Sequence, residues 1–194
     1  MSAWSFYESN QESHAFWEGA FSPPECESII KMGIDKGLKQ GGVQSLDDNN
    51  AVDTDIRSCS VSWINPIEES DWLYKRCSSI TIELNRQFFN FDLFGILEDM
   101  QFTRYEASGE RYGKHIDTSI NGPLRKLSFV LQLSNPKDYE GGELVLHLGE
   151  APTVIPKKQG FVTVFPSYVL HEVTPVTKGT RYSLVSWITG KPFK

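Results

Sequence analysis

Leu127, Phe129, Leu131 and Leu133 alternate with Ser128, Val130, Gln132 and Ser134, and a repeat of two is a periodicity that a helix cannot use. Further short apolar runs follow at 144–146, 161–165 and 181–188, each bounded by Gly, Pro or Asn. Tyr139-Glu140-Gly141-Gly142 reads as a hairpin or bulged connection between two of them. Short strands punctuated by turn residues predict an antiparallel sandwich or barrel. The chain shows no βαβ alternation, no Gly-rich phosphate loop and no internal repeat, which argues against nucleotide-binding α/β folds.

Upstream the period changes. Ser22-Pro23-Pro24-Glu25 has the form of a capping box with proline at the first helical position. Ile29, Ile30, Gly33 and Leu38 would form the inner face, and Gly41-Gly42 the stop. A second helix is predicted from about 70 to 89, where Leu73, Cys77, Ile80, Leu84 and Phe88 recur every three or four residues. The polar stretch 41–55 between them has little to bury and reads as a connector or a lid. The expected fold class is therefore α+β: one domain over 1–194, with helical support mainly in 22–92 and a β core over about 99–190.

Composition narrows the functional classes. With 19 Lys+Arg against 25 Asp+Glu the net charge is −6, and no basic stripe is present, so nucleic acid is not an expected partner. No stretch is apolar for the length of a membrane span. Cys26, Cys59 and Cys77 form no CxxC pair, which disfavours a disulfide framework or structural zinc and fits a reducing, cytoplasmic setting.

Four histidines are present, and two of them keep company that matters. His115 and Asp117 stand two apart, hence on one face of a strand. His171 lies 54 residues after Asp117, and Arg181 ten residues later. Two imidazoles and one carboxylate on one side of a metal leave positions open, the arrangement associated with non-haem Fe(II) oxygenases. A fixed guanidinium deeper in the fold can pair bidentately with a carboxylate, and 2-oxoglutarate offers a distant one. Period two places Arg181, Ser183, Val185 and Trp187 on one face, so Ser183 can add a hydroxyl donor there.

The segments QFTRYEASGERYGKHID, LSFVLQLSNPKDYEGGELVLH and FPSYVLHEVTPVTKGTRYSLVSW resemble the 2-oxoglutarate/Fe(II)-dependent dioxygenases, specifically the prolyl-4-hydroxylase-like and PKHD-type hydroxylases. IRSCSVSWI resembles a prolyl-hydroxylase strand that carries an arginine and, six residues on, an aromatic. The resemblance spans about residues 55–188. It implies a double-stranded β-helix (jelly roll) with the N-terminal helices packed on one sheet. It implies His115, Asp117 and His171 as iron ligands, Arg181 as the clamp for the 2-oxoglutarate 5-carboxylate, and Tyr105 as a donor to the same cosubstrate. Tyr112, Arg57 and Trp187 would line the substrate pocket. Residue 131 is Leu where some prolyl hydroxylases have a tyrosine, and the GGEL hairpin is closer to the PKHD type. The implied activity is hydroxylation of an unactivated C–H, of a peptidyl-prolyl residue in a peptide or protein, using Fe(II), 2-oxoglutarate and O2 with ascorbate as reductant, and releasing succinate and CO2. The competing readings are the same chemistry on a free amino acid or another protein side chain, nucleobase dealkylation, and a jelly-roll module that binds metal without turnover. Nucleobase dealkylation would call for a second arginine where Trp187 stands.

Overall fold

The computed structural model describes residues 12–42, 55–118 and 122–192. Two antiparallel sheets face each other, and two helices cover the outer side of the larger one. The larger sheet comprises β1 (Ala15–Trp17), β2 (Lys39–Gln40), β4 (Ser60–Ile64), β5 (Leu93–Ile96), β6 (Met100–Glu106), β8 (Arg125–Gln132), β9 (Tyr139–Gly141), β12 (Val162–Pro166) and β14 (Val176–Gly190). Its main path runs β1-β12-β8-β14-β6-β4-β2, with β5 and β9 pairing on β14. The smaller sheet runs β11 (Thr153–Val154), β10 (Leu144–Leu146), β13 (His171–Val173), β7 (Arg111–His115) and β3 (Arg57–Ser58). This is the expected jelly roll.

The period-two alternation now has two destinations, because the large sheet is buried on both faces. Leu127, Phe129, Leu131, Leu184 and Ile188 turn outward into a core shared with the helices. Ser128, Val130, Gln132, Arg181, Ser183, Val185 and Trp187 turn inward, and the ladder pairs Ser183 with Gln132, Val185 with Val130 and Trp187 with Ser128. The polar partners in the alternation therefore line an interior. β14 is also longer than 181–188: it begins at Val176, where its first residues pair with β9.

Helix α1 (Pro23–Asp35) begins as the box predicts, with the Glu25 carboxylate accepting from the Ser22 N–H and hydroxyl, both at 2.8 Å. It ends sooner than Gly41-Gly42. Gly37 adopts φ +81° and its N–H closes the last turn on the Ile34 carbonyl, a conformation glycine enters without steric penalty. Leu38 thus packs from outside the helix. Gly33 brings α1 directly onto β6, since a Cβ there would lie 2.2 Å from the Phe102 ring. Helix α2 (Asp71–Leu84) buries Leu73, Cys77, Ile80 and Leu84. A π turn over Asn85–Phe89 then adds a residue to the last coil, so Phe89 rather than Phe88 becomes the buried aromatic. All three cysteines are buried free thiols, and burial pushes Cys26 up to about 12. Of the stretch 41–55, all but Gly41, Gly42 and Asp55 lie outside the described residues.

Candidate active site

His115 closes β7 and His171 opens β13, and the two are direct partners in the antiparallel ladder. Asp117 does not continue the strand, as strict alternation would have it. It lies just beyond the end of β7, where its N–H donates to the Ser167 carbonyl at 2.9 Å. The side chains nonetheless converge: Asp117 Oδ1 is 3.6 Å from His115 Nε2, Oδ2 is 3.6 Å from His171 Nε2, and the three ligand atoms lie within 4.8 Å of one another.

The surroundings fix the orientation of each group. His115 Nδ1 meets the Gly113 carbonyl at 2.8 Å and His171 Nδ1 meets the Val169 carbonyl at 2.9 Å. A carbonyl only accepts, so each Nδ1 carries the proton and each Nε2 presents a lone pair. The Ser128 hydroxyl donates to Asp117 Oδ2 at 2.6 Å and is itself 3.1 Å from Ser167 Oγ. Burial alone would raise the Asp117 carboxyl, but the two imidazoles and Ser128 outweigh it and hold it well below the usual carboxylate range. Burial keeps His171 below its ordinary value, hence neutral. Two imidazoles held by their Nδ1 atoms and one carboxylate, with outer hydrogen bonds in place, suit a divalent transition metal.

Beside the triad lies a cavity of about 40 Å3, lined also by Tyr105, Tyr112, Ser183, Trp187 and, at its deep end, Arg181. Eight of the nine residues singled out from sequence line this one space. Arg57 does not; it borders the wider groove of about 780 Å3 outside. Its guanidinium donates to Cys59 Sγ and the Gly42 carbonyl and lies 4.6 Å over the Tyr112 ring, so it braces the groove wall. Tyr112 in turn stacks on His115, with ring centroids 3.5 Å apart and 12° between planes.

Arg181 is 2% exposed, and among the described residues no carboxylate comes within ion-pairing distance. Its Nη1 donates to Ser183 Oγ at 3.3 Å, while Nε has no partner. A buried guanidinium left without an anion is costly, and it fits a carboxylate-bearing ligand. Burial pushes the Tyr105 hydroxyl up, so it remains a protonated donor in the same cavity.

Sequence reasoning missed several contributors. Ser128 could have been found by extending the alternation along β8. Arg125 could not, since it is assembled across the fold: it pairs bidentately with Glu98, covers the Trp187 ring at 3.8 Å and donates to the Asp117 carbonyl at 3.2 Å. Leu131 faces the helices, but Tyr139 of β9 hydrogen-bonds with Arg181 and accepts from the Gln132 amide at 2.9 Å. The adjacent Gly142, at φ +63°, leaves space that a Cβ would take from Arg181 Cδ, only 2.9 Å away. Gly142 thus belongs to the floor beneath Arg181, while Gly141 lies against the Pro175 backbone.

Residues 100–189 match the family model of the 2OG-Fe(II) oxygenase superfamily. Among curated relatives, a PKHD-type hydroxylase of Gloeothece citriformis is 43% identical over 95 residues, covering 47% of this chain and 43% of that one. A PKHD-type hydroxylase of Sphingopyxis alaskensis is 36% identical over 123 residues, covering 59% and 56%. The chain therefore spans about half the length of the curated relatives it matches. Among solved structures, a Pseudomonas putida prolyl-4-hydroxylase superposes with a TM-score of 0.72 at 22% identity, over 93% of this chain and 94% of that one. A Trichoplax adhaerens prolyl hydroxylase in complex with a hypoxia-inducible-factor peptide gives 0.75 at 20% identity, over 92% and 84%.

Proposed function

We propose that the chain, whose residues 100–189 match the model of the 2OG-Fe(II) oxygenase superfamily, is an oxygenase of that kind and hydroxylates an unactivated C–H bond of a peptidyl-prolyl residue. The observation that carries the reading is the convergence of His115, Asp117 and His171 in one cavity with the anion-free Arg181. Fe(II), 2-oxoglutarate and O2, with ascorbate as reductant, would supply the oxidising chemistry, with succinate and CO2 as co-products.

This chain's own residues bind, orient and exclude water. His115 and His171 offer Nε2, and Asp117 offers the carboxylate that Ser128 and the imidazoles keep ionised. Arg181 takes the far carboxylate of 2-oxoglutarate, with Ser183 and Tyr105 as neighbouring hydroxyls. Apart from Gln101, the remaining wall is apolar, made by Val130, Leu144, Val173 and Val185, and keeps water from the reacting carbon. Tyr112 and Trp187 line both the cavity and the groove and would contact the substrate, with Arg57 behind Tyr112.

The test is succinate release from 2-oxoglutarate with Fe(II), ascorbate and O2, first without substrate and then with proline-containing peptides. Peptide-stimulated turnover with a matching gain of one oxygen supports the proposal. A basal rate that no peptide raises rejects the prolyl substrate. No succinate from correctly metallated protein rejects the enzyme, and His115→Ala serves as the inactive control.

A further inference from the structure

The outer groove and the inner cavity share four lining residues: Gln101, Tyr112, Asp117 and Trp187. Any group that travels from the groove to the triad passes between them. Asp117 belongs to the triad and the Tyr112 ring is spent against His115. The other two, Gln101 and Trp187, each carry a hydrogen-bonding group for which the described residues supply no partner.

Trp187 is 6% exposed, and its indole Nε1 is buried with no acceptor among the described residues. The rest of the ring is fixed in place, with the Arg125 guanidinium on its face and Trp63 at 6.3 Å between centroids. An indole nitrogen can only donate, and a buried donor in a folded protein is normally paired. Gln101 is also 6% exposed, and its amide nitrogen donates to Thr103 Oγ1 at 3.0 Å. That leaves the Gln101 carbonyl oxygen as its open group. The two residues sit on neighbouring strands and on the same inner face: Gln101 of β6 pairs with Val185 of β14, and Trp187 is two residues further along.

One donor and one acceptor on the same face of neighbouring strands can match the C=O and N–H of a single residue in an extended chain, which point the same way. Proline lacks the N–H, so the residue read in this way is one that flanks it. We propose that Trp187 and Gln101 form a main-chain recognition pair at the throat, selecting an extended peptide over a free amino acid. This rests on the hydroxylase reading above and adds the form of its substrate. A free amino acid presents a second carboxylate near Asp117 and has no flanking residue to engage the pair.

The probes are acetylated, amidated tripeptides with a central proline, against free L-proline, bound to the zinc-loaded protein in the presence of 2-oxoglutarate. Binding is followed by ligand-observed NMR, without turnover. Trp187→Phe keeps an aromatic ring under Arg125 while removing the N–H together with the second ring of the indole; Gln101→Leu removes the acceptor. The wild type is expected to bind at least one tripeptide and not L-proline. Each variant is expected to bind that tripeptide roughly tenfold more weakly, as for a hydrogen bond whose partner is left unpaired. Calorimetric 2-oxoglutarate affinity should stay within about threefold, which shows that the fold and the inner cavity survive. L-proline binding as well as the tripeptides, no tripeptide binding at all, or variants that bind like the wild type would overturn the inference. Failure of the wild type to bind 2-oxoglutarate would instead overturn the reading on which it rests.

Discussion

Replacing Arg181 by methionine separates what the guanidinium does for the fold from what it does for a ligand. The side chain is 2% exposed with no anionic partner among the described residues. Exchanging buried ionic groups for apolar volume ranges from neutral to stabilising by about 1–4 kcal/mol. Against this stand a 3.3 Å hydrogen bond to Ser183, the hydrogen bond with Tyr139 and a 5.4 Å approach to the Tyr105 ring, together worth about 2–3 kcal/mol. The net expectation is a variant as stable as the wild type without ligand to within about 1 kcal/mol, or roughly 2–4 °C in Tm for a chain of this size. With 2-oxoglutarate at about 100 times its Kd, metal-loaded wild type gains about 2.7 kcal/mol. Loss of the charged contact should weaken binding about 100-fold, so at the same concentration the variant gains only about 0.4 kcal/mol. Thermal melts of both proteins, with and without 2-oxoglutarate, read all four values. A variant that melts lower without ligand, yet is still raised by 2-oxoglutarate as the wild type is, would refute the argument that the buried charge awaits an anion.

Other outcomes follow from neighbouring features. Ser128→Ala removes the 2.6 Å donor to Asp117 and should weaken metal binding about 10–100-fold in chelator competition, with secondary structure by circular dichroism unchanged. Gly33→Ala gains about 1 kcal/mol of helix propensity, but its Cβ would fall 2.2 Å from Phe102, and overpacking costs about 1–3 kcal/mol, so urea denaturation should show net loss. Glu25 is held below its ordinary value by the Ser22 N–H and hydroxyl, so its contribution is present above the unfolded pKa of about 4.3 and lost as pH falls through the lower folded value. Glu25→Ala should therefore cost up to about 1 kcal/mol at pH 7, reduced by solvent screening, and almost nothing near pH 2.

The sequence made the site more legible than its supports. Arg181, Ser183 and Trp187 share a face because β14 alternates strictly, and that holds in the fold. His115 and Asp117 meet although the strand ends between them, because the Ser167 carbonyl catches the Asp117 N–H. That contact joins positions 50 apart and leaves no trace in local pattern. The same is true of the Glu98–Arg125–Trp187 arrangement, in which each residue alone reads as an ordinary surface or core choice. The end of α1 was misread because two glycines at 41–42 form a louder signal than one at 37, yet a single left-handed residue suffices. The three-residue β1 was missed because so short a segment has too few positions to show a period; its pairing with β12 defines it.

The triad and the arginine stand on different layers. His115 and His171 come from the five-stranded sheet, whose strands are two to five residues long, whereas Arg181 comes from the fifteen-residue β14 of the large sheet. A ligand held at both ends is therefore a strut between the two halves of the sandwich. Its benefit falls mainly on the smaller sheet, whose strands are short and, among the described residues, carry no helix against them. Amide exchange should accordingly slow most in β7 and β13 when metal and 2-oxoglutarate are both bound, and hardly at all in β8 or β14, whose outer side chains already share a buried core with the helices. Loading the site would thus complete the rigidity of the layer that carries the histidines.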